Sequence, residues 1–408
     1  MSTCNVKKQS WWQLLSIQTG GTICLPVIMI GSLVCQKFGW VAALLSVGTG
    51  NLFLLVLGYL LASLSTYRPQ STVEHATTYF GKTGKWLFGF VMILSMLGWF
   101  GIQLNVMSLS AAQLFSGLGF SIPFLPINIG MGLIISLIMC FGMKAMKNLS
   151  YISAPLLGIT LLYAAFSAGG VIPPITSLPI SWVSGLSLVI GANIAAVIDL
   201  PTFFRHAKSK KDAKLCILLL YGIVVPLIET IGVYLFSIIG GNSILDTLQI
   251  GHGALWAMWT CCFVLISGWQ TNNANLYSSI ASSFSFSATF PIWIRAIALG
   301  GIGTLIACFN PLGNIESVLD FLGITIGGMG AVILANYLME RTTTNYTPIP
   351  QLSLVSWSIG VVISISSSVL QWWTTGIPAM DAFLTSFLTQ ITLNLIYQRR
   401  KTYEKIDG

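Results

Sequence analysis

The sequence predicts an all-α membrane protein with twelve transmembrane helices. They are arranged as a five-plus-five inverted repeat, with two further helices at the C-terminal end. Three observations predict this: apolar runs of spanning length along the whole chain, a one-sided distribution of basic residues, and two spans interrupted at matching places. The chain is 55 % hydrophobic and only 7 % charged, against about 25 % charged residues in soluble domains. With so few charges to cover a surface, lipid is the expected solvent, and segments of about 20 apolar residues are the unit to look for.

Twelve such segments occur, at 11–36, 40–64, 85–116, 121–143, 149–169, 182–204, 213–240, 253–283, 289–309, 315–339, 352–375 and 377–397. Spans three and eight are long for a hydrocarbon layer and are expected to tilt or protrude. Eighteen of the nineteen Lys and Arg residues then fall on one side, with only Lys37 opposite. Lys7 and Lys8, Arg68, Lys82 and Lys85, Lys144 and Lys147, the Arg205–Lys214 cluster, Arg295, Arg341 and the C-terminal Arg399–Lys405 group share that side. Basic loops mark the cytoplasm, so both termini are expected there. The net charge of +8 is explained by these loops, and a nucleic-acid partner is rejected. No cleavable signal peptide is expected, because the apolar run from Trp11 is too long for one.

The first repeat is assigned to 11–169, the second to 182–339, the two additional helices to 352–397 and a cytoplasmic tail to 401–408. No soluble domain is expected. The longest loop, Ser65 to Gly84, contains a short amphipathic stretch, Val73 to Phe80, read either as solvated loop or as a gate. The eight cysteines are scattered and show no metal-ligand spacing.

Span one carries Gly20-Gly21-Thr22-Ile23-Cys24-Leu25-Pro26, and span six carries Gly191-Ala192-Asn193 followed by Asp199-Leu200-Pro201. Gly and Pro weaken a helix by about 1 and 3 kcal/mol. The backbone groups they free are tolerated in lipid only where they line a cavity or bind something. Each of these spans opens a five-span set, which is the pattern of a transporter with paired discontinuous helices.

Polar groups inside spans are functional candidates. Span eight carries the densest set, Ser267-Gly268-Trp269-Gln270-Thr271-Asn272-Asn273-Ala274-Asn275. These uncharged amides and hydroxyls suit a polar ring edge or a dehydrated Na⁺, not acid–base chemistry. Span three carries Gly98-Trp99-Phe100-Gly101-Ile102-Gln103, where glycines beside an aromatic pair leave room for a flat ligand. Among the acids Asp199, Glu229, Asp320 and Asp381, Glu229 is the leading proton-coupling candidate, with Asp199 second. A structural role for Glu229 stays open. No hydrolase nucleophile, phosphate loop or metal-binding helix is found, so no enzyme and no organic cofactor are expected.

Taken together, these residues resemble the bacterial cytosine permeases and, more widely, the nucleobase–cation symporters, over residues 11 to 400. Gly98-Trp99-Phe100-Gly101, Trp269-Gln270-Thr271-Asn272, Asp199 to Arg205 with Phe203 and Phe204, and Asn336-Tyr337-Leu338-Met339 carry the resemblance. It implies the leucine-transporter-type fold, with a flat heterocycle held between spans one, three, six and eight. By position it implies Trp99 as stacking platform, Asn272 on the ring edge, and Met96, Gln103, Ala192 and Asn193 around the ligand. It also implies a sodium site at Gly20, Cys24, Ser267, Gln270 and Thr271. The chain departs from the family at Gln270, which replaces Thr, and at Met96, Ala192, Ala195 and Asn193. The substrate classes left open are a purine, uracil, a hydantoin-like ring or a vitamin-precursor pyrimidine.

The expected function is import of a nucleobase or related heteroaromatic compound, driven by Na⁺ or H⁺ through alternating access, by a monomer in a bacterial cytoplasmic membrane. The alternative is the same fold carrying another small solute, such as an amino acid.

Overall fold

The computed structural model describes residues 8–141, 143–170, 182–240, 253–309, 311, 315–343, 346–370 and 375–406. Lys7, residue 142 and residues 371–374 at the end of span eleven lie outside the described residues, as do the side chains of Lys144, Lys147, Arg400, Lys401 and Lys405. The described residues are helical apart from their connections and one isolated parallel bridge between Gln9 and Ala207. Among them, eight helices are long and apolar enough to cross a membrane, or nine if one bent pair is a single span. Two further apolar helices, Phe124–Met139 and Ile292–Ala307, fall short in length. Gly253–Ser283 is long but diluted by its polar stretch.

The bent pair is span one. Helix α1 (Trp11–Thr22) and α2 (Leu25–Phe38) meet at 61°. Cys24 is extended, and Pro26 stands in the first turn of α2, where its missing N–H has no helical partner to lose. Backbone contact then fixes α2 against α10 (Val225–Ile239). A side chain at Gly31 would collide with the Glu229 carbonyl, and one at Gly232 with the Ile28 carbonyl. Small residues permit this approach between helices in lipid, and the Ser32 hydroxyl donates to the Gly232 carbonyl at 2.9 Å.

Helix α3 (Trp40–Tyr67) packs on α7 (Trp182–Ile198) through Gly50 and Gly185, and Ser46 donates to the Trp182 carbonyl at 2.7 Å. Helix α4 runs from Thr72 to Gly117 with a kink at Gly81, whose φ of 70° suits glycine. Thr72 to Phe80 is therefore helix, not solvated loop, with Val73, Ala76, Tyr79 and Phe80 buried. A reciprocal capping box of Ser71 and Glu74 starts it.

Helices α5 (Phe124–Met139) and α6 (Met143–Ser167) complete the first half. In span six the interruption lies at Asp199, between α7 and the short α8 (Leu200–Phe204); α7 is regular through Gly191-Ala192-Asn193. The sequence expectation of a mid-span break there is corrected. Gly191 is close-packed against Gly323, so that glycine provides helix contact rather than a break. Helix α9 (Lys210–Leu219) enters span seven and passes into a π turn at Leu220–Val224 just ahead of Pro226. Such a turn absorbs the carbonyl that proline cannot bond.

The remaining helices are α11 (Gly253–Ser283), α12 (Ile292–Ala307), α13 (Ile315–Thr342), α14 (Pro350–Leu370) and α15 (Pro378–Ile406). Large apolar side chains such as Phe166, Leu255 and Phe309 are more than four-fifths exposed, as lipid-facing residues are. Asn336 is a buried hub: its amide nitrogen donates to Val332 and Ser353, and its oxygen accepts from Tyr346 and Gln390. The amide thereby joins α13, α14 and α15.

Candidate functional site

Trp99 stands on α4, half-buried, against two hydrophobic clusters. One of them, around Ile30, Val34 and Val189, also receives Ala192 of α7. A side chain added at Gly98 would meet nothing within 4 Å, so the helix has open space at the position next to Trp99 in the chain. Gly101 does not contribute to that space, because it is pressed against Ile306 and Ala307 of α12. Met96 is buried one turn before Trp99.

Gln103 follows Trp99 by one turn. It is 1 % exposed, and neither its amide nitrogen nor its oxygen has a hydrogen-bond partner among the described residues. Gly268 of α11 faces it so closely that a side chain there would collide with its amide and with Met107. Leaving a buried amide unpaired costs about 1–3 kcal/mol per group.

Asn272, expected on the ligand's edge, donates to the Phe100 carbonyl at 3.2 Å and accepts from Asn275 at 3.4 Å. It thus ties α11 to α4. Asn193 is likewise engaged by the protein. Its amide donates to the Val189 carbonyl at 3.0 Å and to Glu229 Oε1 at 2.9 Å. Asn51 of α3 donates to the other oxygen of Glu229 at 2.5 Å.

The five residues expected around a sodium ion are near one another at the span-one break. Thr271 donates its hydroxyl to the carbonyls of Gly21 and Ser267, both at 3.0 Å, and is within reach of the Cys24 thiol. Ser267 donates to Val264 of its own helix at 3.2 Å. Gln270 points to α6: its oxygen accepts from Ser150 at 3.0 Å and its nitrogen donates to Ser153. A Cβ at Gly20 would lie 3.2 Å from that nitrogen, so the Gln270 side chain fills the space beside Gly20.

Asp199 is buried where α4, α8 and α11 meet. Thr72 and Thr202 donate to one oxygen at 3.0 and 2.6 Å, and Ser278 donates to the other. The same end of the molecule is further tied by Arg205 to Glu74 at 3.3 Å and by Arg68 to Glu340. Gln9 pairs with the backbone of His206 and Lys208. Burial, with Arg205 beside it, pushes His206 down to about 4. Arg295 closes the end of α11 by donating to Ser283 and the Ser287 and Phe290 carbonyls.

Sequence reasoning missed Asn51, the Ser150–Ser153 pair and the hydroxyls around Asp199. All are polar side chains inside or beside apolar runs, so the rule that selected Glu229 would have found Asn51. Asn273, buried with both amide atoms unpaired among the described residues, was read only as part of the polar stretch.

A family model described as permease for cytosine/purines, uracil, thiamine, allantoin matches residues 4–347. The cytosine permease of Escherichia coli K12 is 25 % identical over 405 residues, covering 94 % of this chain and 93 % of that one. Among solved structures, Mhp1, a nucleobase-cation-symport-1 family transporter closed around bromovinylhydantoin, gives a TM-score of 0.78 at 18 % identity, covering 96 % of this chain and 93 % of that one. A Na⁺-coupled sialic acid symporter in a substrate-bound outward-open state gives 0.69 at 13 % identity, covering 95 % and 90 %.

Proposed function

Because this chain belongs to the family of permeases for cytosine and purines, uracil, thiamine and allantoin, we propose that it imports a nucleobase by cation symport and alternating access. It is a multi-pass transporter and not an enzyme. In this reading twelve crossings form repeats at 11–169 and 182–339, with 352–397 as additional helices and 401–408 as a cytoplasmic tail. Both termini are cytoplasmic, the unit is a monomer in a bacterial inner membrane, and H⁺ or Na⁺ is the coupling partner, with no organic cofactor.

Gln103 carries the substrate assignment. Its amide offers one donor face and one acceptor beside each other, and neither is used by another of the described residues. A nucleobase edge offers the complementary acceptor and donor, and its ring stacks on an aromatic platform. Trp99, with open space beside Gly98, is one helical turn away on the same face. Asn272 and Asn193, engaged by Phe100 and Glu229, act as supports of the seat rather than as its edge.

The amino-acid alternative needs a carboxylate held by free N–H groups at the start of α2. Pro26 supplies none there, and the Val27 amide faces the Cys24 thiol. That geometry favours the heterocycle.

The test is competition uptake in cells, paired with thermal-shift binding of purified protein to nucleobases. Nucleobases should compete and stabilise, and Trp99→Ala should lose both effects while remaining folded. Competition by amino acids with no response to any nucleobase would overturn the reading.

A further inference from the structure

We propose that protons drive this transporter and that Glu229, clasped by Asn51 and Asn193, is the group that carries them. The proposal rests on the nucleobase-symport reading and supplies its coupling ion.

Glu229 is fully buried on α10. Each of its oxygens accepts from one carboxamide, Asn51 at 2.5 Å and Asn193 at 2.9 Å. Both amides are braced on their own helices, Asn51 on the Val47 carbonyl at 2.9 Å and Asn193 on the Val189 carbonyl at 3.0 Å. Among the described residues no Lys or Arg forms an ion pair with Glu229. An acid placed in the membrane without a cation is neutralised by binding a proton. The neutral clasp retains the group in either state, which a salt bridge to a fixed cation would not.

The clasp also provides the coupling route. One carboxyl group joins α3, α7 and α10. Asn193 adjoins Ala192, which packs on the same hydrophobic cluster as Trp99. A proton on Glu229 removes the charge that Asn193 answers, one residue from the proposed substrate seat. Substrate and proton then each raise the other's affinity by the same factor.

In the sodium alternative the Gln270 amide is already engaged by Ser150 and Ser153 of α6. A dehydrated cation requires oxygen ligands facing a common point. Here the Gln270 amide nitrogen, not its oxygen, lies against Gly20, whereas the Thr271 hydroxyl gives its one hydrogen to the Gly21 or Ser267 carbonyl and keeps its oxygen lone pairs.

Other titratable groups are accounted for. Tyr221, from the π turn, shares the electrostatic field of Glu229. Tyr234 stands on α10 itself, and on the other packed helices stand Cys35 and Lys37 of α2 with Cys24 at its cap, Tyr59 and Tyr67 (α3), and Lys144, Lys147, Tyr151 and Tyr163 (α6). Tyr59 is covered by the Lys214 ammonium at 3.9 Å. No titratable side chain lies on α7. Asp199, the rival acid, has both oxygens filled by hydroxyls.

The experiment uses full-length protein in proteoliposomes with a radiolabelled nucleobase. An inward proton gradient should drive accumulation without sodium. Glu229→Gln should lower that accumulation about tenfold or more yet keep exchange of labelled for unlabelled nucleobase, which shows that it is folded. Glu229→Asp, which keeps a titratable group, should retain gradient-driven uptake. In parallel, infrared difference spectra across a pH step should show a carboxylic C=O band that disappears in Glu229→Gln, a readout that needs no substrate. Accumulation driven by sodium alone, proton-driven accumulation by Glu229→Gln, or the missing band tracking Asp199→Asn instead would overturn the proposal. Absence of exchange by wild type for every nucleobase would reject the substrate reading, while the infrared band still decides the proton site.

Discussion

Thr271 of α11 donates its hydroxyl to the Gly21 carbonyl of α1 at 3.0 Å, spanning the point where the first membrane segment bends by 61°. The bond links one helix of each half of the chain and satisfies a carbonyl that the bend leaves without a helical partner. Thr271→Val removes the donor at nearly constant volume. The expected outcome is a loss of about 1–3 kcal/mol from the bent state, read as a lower detergent melting temperature and weaker nucleobase binding in the same titration.

Gln103→Leu should separate function from stability. It removes two unpaired buried polar atoms, so the folded protein is expected to melt no lower than wild type. Nucleobase affinity should fall about 10- to 100-fold, the equivalent of one lost buried polar contact. Calorimetry beside a melting curve checks both halves of the statement.

Glycine substitutions should divide sharply by position. Gly232→Ala and Gly31→Ala each drive a methyl into a backbone carbonyl of the facing helix, and neither backbone can yield without separating α2 from α10. Membrane-inserted, folded protein should drop severely, as scored by size-exclusion of a fluorescent fusion. Gly98→Ala meets open space, so it should insert normally and reduce binding of bulky purines more than of single-ring bases.

Arg205→Ala removes the ion pair to Glu74 and the contact to Tyr277. Exposed and half-exposed pairs contribute at most about 1 kcal/mol, so the protein should fold. Opening at this end should become more frequent. Alkylation of Cys24, followed by mass spectrometry of its peptide, should accelerate relative to wild type. An unchanged rate would mean that Arg205 does not hold this end together.

The helical membrane architecture and the break at Cys24 were legible because glycine, proline and uninterrupted apolar length act locally. The break in span six was legible only in part. Gly191 reads the same whether it weakens a helix or lets another helix approach, and only the position of Gly323 decides. The Thr72–Phe80 helix was equally ambiguous, since short amphipathic stretches become helix or loop according to what covers them. Residue types at the site were readable, but their directions were not. Asn272 and Gln103 are both buried amides, and nothing in their sequence neighbourhood distinguishes the one spent on a backbone carbonyl from the one left unused. Asn51 and Asn193 lie far apart in sequence and become partners only through the same carboxyl.

The backbone contacts of Gly31 with Glu229 and of Gly232 with Ile28 have a mechanical consequence. With no side chain between the two backbones to slide or compress, the second half of the first segment and the rod bearing Glu229 form one stiff lever. Whatever swings the former about Cys24 must carry the acid along. In the proposed transport cycle its exposure to either compartment is therefore geared to the opening of the substrate's doorway.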